Sequence, residues 1–174
     1  PTRRSSDLYD LLALMTGSEG MLGIVTEITV KLIPKPEKAQ LVMAAFDSVH
    51  KAGAAVANVI GAGIIPAGMD MMDKITIHAV EEFLHAGYDL DAEAILLCES
   101  DGSAEEVLDE IQRIHVIMQQ SGATKISTSQ NETERLRFWA GRKAAFPAAG
   151  RVSPDYYCMD GTIPRKHLAD VLRG

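Results

Sequence analysis

Three glycines within seven residues, Gly17, Gly20 and Gly23, run directly into Ile24-Val25-Thr26-Glu27-Ile28-Thr29-Val30, and this junction restricts the fold more than any other stretch. Glycine lacks a Cβ, so it tolerates positive φ and lets another group approach the backbone. The β-branched run that follows suits a pleated, half-buried surface. The reading is a tight turn followed by a buried strand. Amides exposed in such a turn can hold a phosphate or a flavin edge, whereas turns that lead into strands use the same residues for steric reasons alone. Spacing by itself leaves both open.

The surrounding chain gives this junction a place. Residues 1–8, PTRRSSDL, translate one frame of a common short-read sequencing adapter, and the expectation is that they are foreign to the fold. Asp10 to Met15 is short, apolar and helix-forming. After the strand, Pro34 and Pro36 cannot donate to a sheet and bias their predecessors away from helix, so 31–37 reads as a linker. The expected organisation is an adapter remnant over 1–8, the end of one domain over 9–36, and a second domain over 37–174.

Beyond the linker, strands and helices alternate. Gln40 to Phe46 is strand-like, and Asp47 is placed to cap a helix carrying Ala52, Ala55, Val56, Val59 and Ile60 until Gly61 and Gly63. Met69 to Asp73 precedes a helix over about 75–86. Glu93 to Glu99 is a central strand closed by Asp101-Gly102. Ser103-Ala104-Glu105-Glu106 has the form of a capping box, opening a helix that buries Val107, Leu108, Ile111, Ile114 and Met118. A short strand over 124–128, a long helix over about 130–145, a strand over 156–159 and a last helix after Pro164 complete the pattern. Such alternation predicts an α+β fold with a ferredoxin-like layer.

Charge and composition exclude several function classes. A net charge of −7, with no basic patch interleaved with aromatics, argues against a nucleic-acid partner. The longest apolar stretch, 52–69, is broken by Asn58, Pro66 and glycines, so it is not a continuous membrane span. No charged and apolar leader pattern marks the N-terminus. Cys98 and Cys158 both lie in apolar runs, where free thiols behave as core residues in a reducing compartment. The histidines show no metal-ligand clustering, His78 and His85 being partly exposed helix residues, and no metal is expected.

The second informative cluster is 135–146, RLRFWAGRKAAF. Spacings of four, three and four put Arg135, Trp139, Arg142 and Phe146 on one helical stripe. A guanidinium mixed with large apolar side chains has to be paired or stacked. A carboxylate is its best geometric partner. The residues leave three readings open: an entering acid, an internal pair of Arg142 with Asp155 or Asp160, or stacking on Trp139.

As whole strings, GSEGMLGIVTE, GYDLDAEAILLCESDG and FWAGRKAAFPAAGRVSPDYYCMDGTIPR resemble the FAD-linked oxidases of the vanillyl-alcohol-oxidase type, and among them the FAD-binding subunits of glycolate oxidase. The likeness extends over nearly everything from Tyr9 onward. It implies the end of a PCMH-type FAD-binding domain followed by a ferredoxin-like cap domain, both incomplete. Gly17, Ser18, Gly20 and Gly23 would shape the last FAD-contacting loop, with the backbone of Ile24 and Val25 against the cofactor. In this family the Arg of a W-x-x-R motif holds the substrate carboxylate, and here that motif is Trp139-Ala140-Gly141-Arg142. Trp139 and Tyr157, the latter on a strand facing this helix, are the accompanying substrate-side candidates.

The resemblance further implies FAD-dependent oxidation of glycolate or a similar D-2-hydroxy acid to the 2-oxo acid. It implies a second flavin-type subunit and an iron–sulfur subunit as partners. The location implied is cytoplasmic, or peripheral at the inner membrane through those partners. The family's histidine-rich metal motif, its Glu-His-Gly motif and its pyrophosphate-binding loops have no counterpart here, so no general base is assigned and the polypeptide alone is expected to lack turnover. Other readings are a D-lactate or D-2-hydroxyglutarate dehydrogenase of the same family, or a non-catalytic ferredoxin-like interaction or ligand-sensing domain. For the carboxylate role, Arg142 is expected to be left unneutralised by the protein.

Overall fold

The computed structural model describes residues 9–164 and 167–173; residues 1–8, the expected adapter remnant, lie outside them. The chain divides into two compact units between Lys35 and Pro36.

In the first unit, helix α1 (Leu11–Met15) is capped by Asp10, whose carboxylate accepts from the Ala13 amide at 3.0 Å. The chain then turns through Gly17 (φ 79°), Glu19 (φ 51°) and Gly20 (φ 78°), closed by Met21 N–H donating to the Ser18 carbonyl at 2.8 Å. The strand expected over 24–30 does not form: these residues pair with no strand among the described residues, and Ile24 is 90% exposed. A β-branched run supplies propensity, but a strand exists only where a neighbour satisfies its amides and carbonyls.

The second unit is a sheet covered on both faces. Its strands are β1 (Lys38–Phe46), β2 (Gly68–Asp73), β3 (Ala94–Gly102) and β4 (Lys125–Thr128), in the all-antiparallel order β2-β3-β1-β4. Helices α2 (Val49–Gly61) and α4 (Ala104–Gln120) connect β1 to β2 and β3 to β4, which gives the ferredoxin-like split arrangement. Because side chains alternate along β1, Val42, Ala44 and Phe46 join Val59, Ile111 and Ile114 beneath α2 and α4. Leu41 and Ala45 point the other way, into a core with Ile77, Val80, Phe138 and Ala148. That second core belongs to α3 (Lys74–Leu84), α5 (Glu132–Lys143) and α6 (Ala145–Val152). Burial on both faces is why β1 and β3 read as continuous apolar runs rather than alternating ones. A last short helix, α7 (Leu168–Arg173), follows.

Local signals fared well where the chemistry is local. The capping box forms as read: Ser103 Oγ accepts from the Glu106 amide and the Glu106 carboxylate accepts from the Ser103 amide. Val107, Ile111, Ile114 and Met118 are buried, but Leu108 is exposed, one position off the stripe. The cap of α2 is Ser48, not Asp47, which instead pairs with Lys51 at 2.7 Å. Strand β2 carries no propensity signal, since Gly68-Met-Asp-Met-Met-Asp73 holds no β-branched residue; its pairing with β3 creates it. The long helix over 130–145 is α5 alone, and α6 starts anew at Ala145 with Pro147 in its first turn, where a missing N–H costs nothing. Residues 156–159 form no strand, and Cys158 is exposed rather than core, while Cys98 is fully buried.

Candidate functional site

Helix α5 packs over β1 and reaches across to β3 and β2 with its long side chains, on the side of the sheet that carries Gly68, Asp70 and Met72. At its first turn Asn131 caps the helix, its side chain accepting from the Glu134 amide. One turn on, Arg135 clamps Glu132 through Nε (2.8 Å) and Nη2 (2.7 Å) and reaches Glu99 of β3 through Nη1 (2.7 Å). The Arg135–Glu99 pair is 17% and 13% exposed, so it is only weakly screened. The Glu132 hydrogen bonds first, then Glu99, raise the Arg135 pKa above its ordinary value, with partial burial opposing. Trp139, the next member of the stripe, donates its indole N–H to the same Glu99 oxygen. Its ring covers Gly68, where a Cβ would come within 3.1 Å of it. Gly68 and Glu99 are directly opposite in the sheet, so one register position seats both the ring and its acceptor.

Arg142 comes next and corrects the expectation made for it. Its Nε donates to Asp70 Oδ1 at 3.0 Å, so the protein itself supplies a counter-charge. The partner is on β2, not Asp155 or Asp160. The contact uses one nitrogen of the fork, and the pair is 36% and 38% exposed, a weak and exchangeable arrangement compared with the clamp on Arg135. No other hydrogen bond from the Arg142 guanidinium exists among the described residues.

Arg142 stands at the wall of a cavity of about 420 Å³ between β2, α3 and α6, with Met71, Met72, Asp73, Phe146, Tyr156 and Cys158 among its lining residues. Trp139 is outside this lining, its indole engaged with Glu99 and its ring lying over Gly68. Tyr157, the expected aromatic, is 88% exposed and does not line the cavity; its neighbour Tyr156 does. Without a strand at 156–159, alternation could not say which of the two tyrosines turns inward. A larger cleft of about 700 Å³ beside α3 is lined by His78, His85, Glu81 and Glu82 and by Lys74, whose ammonium is already paired with Glu93 at 2.7 Å. Among the described residues no group of three or more His, Cys, Asp or Glu is placed to hold a metal ion.

One supporting pair was invisible to the sequence reading. Tyr88, in the loop before β3, is buried and donates its hydroxyl to the Phe138 carbonyl of α5 at 2.5 Å. Burial pushes its phenol up to about 12, with the Arg142 backbone pulling the other way. Gly141 is what admits the ring, since any Cβ there would overlap it. The helix therefore carries Arg142 immediately after the residue whose lack of a side chain seats the Tyr88 ring.

The glycine loop offers a different surface. Gly17 and Gly20 adopt positive φ, and Gly23 packs on Met15. Ile24 and Val25 expose their side chains, and their amides make no hydrogen bond among the described residues. Free amides beside an apolar edge are compatible with the rim of a flat, hydrogen-bonding ring system. Among the described residues, no helix is long and apolar enough to cross a membrane.

Comparison with known proteins places this arrangement. The chain is 61% identical over 166 residues to the glycolate oxidase subunit GlcD of Escherichia coli K12, covering 95% of this chain and 33% of that protein. It is 36% identical over 165 residues to GlcD of Bacillus subtilis, covering 95% and 35%. It is 26% identical to the mitochondrial D-lactate dehydrogenase [cytochrome] of Arabidopsis thaliana, covering 98% and 30%. The chain thus spans about a third of the length of the curated relatives it matches. Among solved structures, an alkyldihydroxyacetonephosphate synthase superposes with a TM-score of 0.61 at 18% identity, covering 84% of this chain and 30% of that one, a likeness of fold. Residues 35–174 match the family described as FAD linked oxidases, C-terminal domain, and the chain belongs to that family.

Proposed function

We propose that this chain is the cap and adjoining flavin loop of an FAD-dependent dehydrogenase that oxidises glycolate, or a similar small D-2-hydroxy acid, to the 2-oxo acid. The observation that carries the reading is a half-exposed arginine at a small, largely apolar cavity, in a chain 61% identical to a glycolate oxidase subunit. Arg142 binds the substrate carboxylate: the terminal nitrogens of its fork suit a two-point contact, and Asp70 engages only Nε. Met71, Met72 and Phe146 exclude water from the carbon end of the substrate. Fixing the acid in one orientation is this segment's contribution to the reaction.

The loop at Gly17, Ser18, Gly20 and Gly23, with the backbone of Ile24 and Val25, fits one wall of an FAD site by its open amides and apolar edge. FAD when bound supplies the hydride acceptor. In the parent protein a second flavin-type subunit and an iron–sulfur subunit pass electrons onward, and the assembly is cytoplasmic or peripheral at the inner membrane; the name glycolate oxidase subunit, borne by the relatives, supports a multi-subunit arrangement.

Substitution Arg142→Ala in the full-length protein tests the anchor. A charge-assisted contact is worth about 1.5–3 kcal/mol, so kcat/KM for glycolate should fall roughly 10–100-fold, chiefly through KM. Unchanged KM and rate would remove Arg142 from the role.

A further inference from the structure

The charges around the Arg142 cavity say more than that an acid binds. Along β2 the side facing α5 presents Gly68, Asp70 and Met72 in turn: Trp139 covers the first, Arg142 pairs with the second, and the third is buried. Asp70 thereby holds the guanidinium by its stem nitrogen and leaves the outer nitrogens to a ligand. Three residues on, Asp73 lines the cavity itself, with Oδ1 accepting from the Thr76 amide as the cap of α3. Arg142 is therefore held from behind by Asp70 and shares the cavity lining with a second carboxylate, Asp73, while Met71, Met72 and Phe146 make the nearby wall apolar.

We propose that Asp70 is a positioning and selectivity residue that tunes this site for hydroxy acids with one carboxylate and against those with two. The inference rests on the reading of Arg142 as the carboxylate anchor. A ligand with a single acid group meets Arg142 and places a small apolar remainder on the methionines. Among the described residues that line the cavity, a second acid group on the same ligand finds no further cation; it meets Asp73 on the wall and the charge of Asp70 behind Arg142. Burying it unpaired is unfavourable, and like charge beside it adds to the cost.

The experiment uses the full-length holoprotein and two ligands that lack an oxidisable alcohol, propionate with one carboxylate and glutarate with two, with dissociation constants measured by calorimetry or dialysis. Asp70→Asn keeps an acceptor for Nε but removes the charge. Both ligands should tighten, glutarate about tenfold more than propionate, and kcat/KM for 2-hydroxyglutarate relative to glycolate should rise in parallel. Asp70→Ala also removes the acceptor, so propionate should bind about fivefold more weakly than to Asp70→Asn. An unchanged glutarate-to-propionate ratio in Asp70→Asn overturns the selectivity role, and equal propionate affinity in the two variants overturns the positioning role. Arg142→Ala separates the two levels: propionate bound as tightly as by wild type sinks the anchor itself, whereas lost binding with an unmoved ratio in Asp70→Asn sinks only the role of Asp70.

Discussion

Replacing Gly141 by alanine should damage this protein although alanine is the better helix former. The new methyl would lie within 3.0 Å of the Tyr88 ring and hydroxyl, a separation that real Cβ atoms essentially never show. Either α5 lifts from the sheet or Tyr88 leaves its pocket. Overpacking a filled site costs about 1–3 kcal/mol, and freeing the buried hydroxyl from the Phe138 carbonyl costs about 1–3 kcal/mol more. Helix propensity returns only about 0.5–1 kcal/mol. The balance is a loss of about 3 kcal/mol, or on the order of 6–12 °C in unfolding midpoint for a chain of this size. Thermal or urea unfolding of Gly141→Ala reads it directly. Tyr88→Leu clears the space, so adding Gly141→Ala to Tyr88→Leu should cost less than about 1 kcal/mol, a coupling near 2 kcal/mol in the double-mutant cycle. If the two changes are additive, or Gly141→Ala is as stable as wild type, the close contact between Tyr88 and α5 is not what holds the helix. Arg142 follows Gly141 directly, so if it is the carboxylate anchor proposed above, the same substitution should also weaken carboxylate binding in the full-length protein.

Two further expectations concern single side chains. Native protein should react with one equivalent of a thiol reagent, at exposed Cys158, and take up the second only on unfolding, because Cys98 is fully buried in β3 and burial first, then the charge of Glu110, push its thiol up to about 12; rapid labelling of both would contradict this packing. Hydrogen bonds from Ser103 hold Glu106 below its ordinary value of 4.5, so the carboxylate's contribution is present in full above about that pH and is lost as pH falls through the lower folded value. Glu106→Gln should then melt below wild type at pH 7, with the difference shrinking toward pH 3 and a pH-independent difference refuting the linkage.

The sequence by itself determined the features whose physics is local or periodic. The capping box at Ser103 and Glu106, the buried stripe of α4, the apolar runs of β1 and β3, and the turn at Gly17 and Gly20 all follow from residues within a few positions of one another. It also determined that an arginine on the Trp139 stripe needs a partner. Only the tertiary structure decided which partner: Asp70 lies 72 residues from Arg142, Glu99 lies 36 from Arg135 and 40 from Trp139, and Tyr88 lies 50 from Phe138. Strand β2 owes its existence to β3, and the run at 24–30 shows the converse, propensity without a neighbour and hence no strand. Which of Tyr156 and Tyr157 lines the cavity was likewise a tertiary matter: with no ladder at 156–159, no pleat fixes the face each residue takes, and the fold turns Tyr156 inward. Helical and pleated periods are written into the chain by covalent geometry, whereas the meeting of distant segments is set by how the sheet orders its strands and how two helical layers close over it.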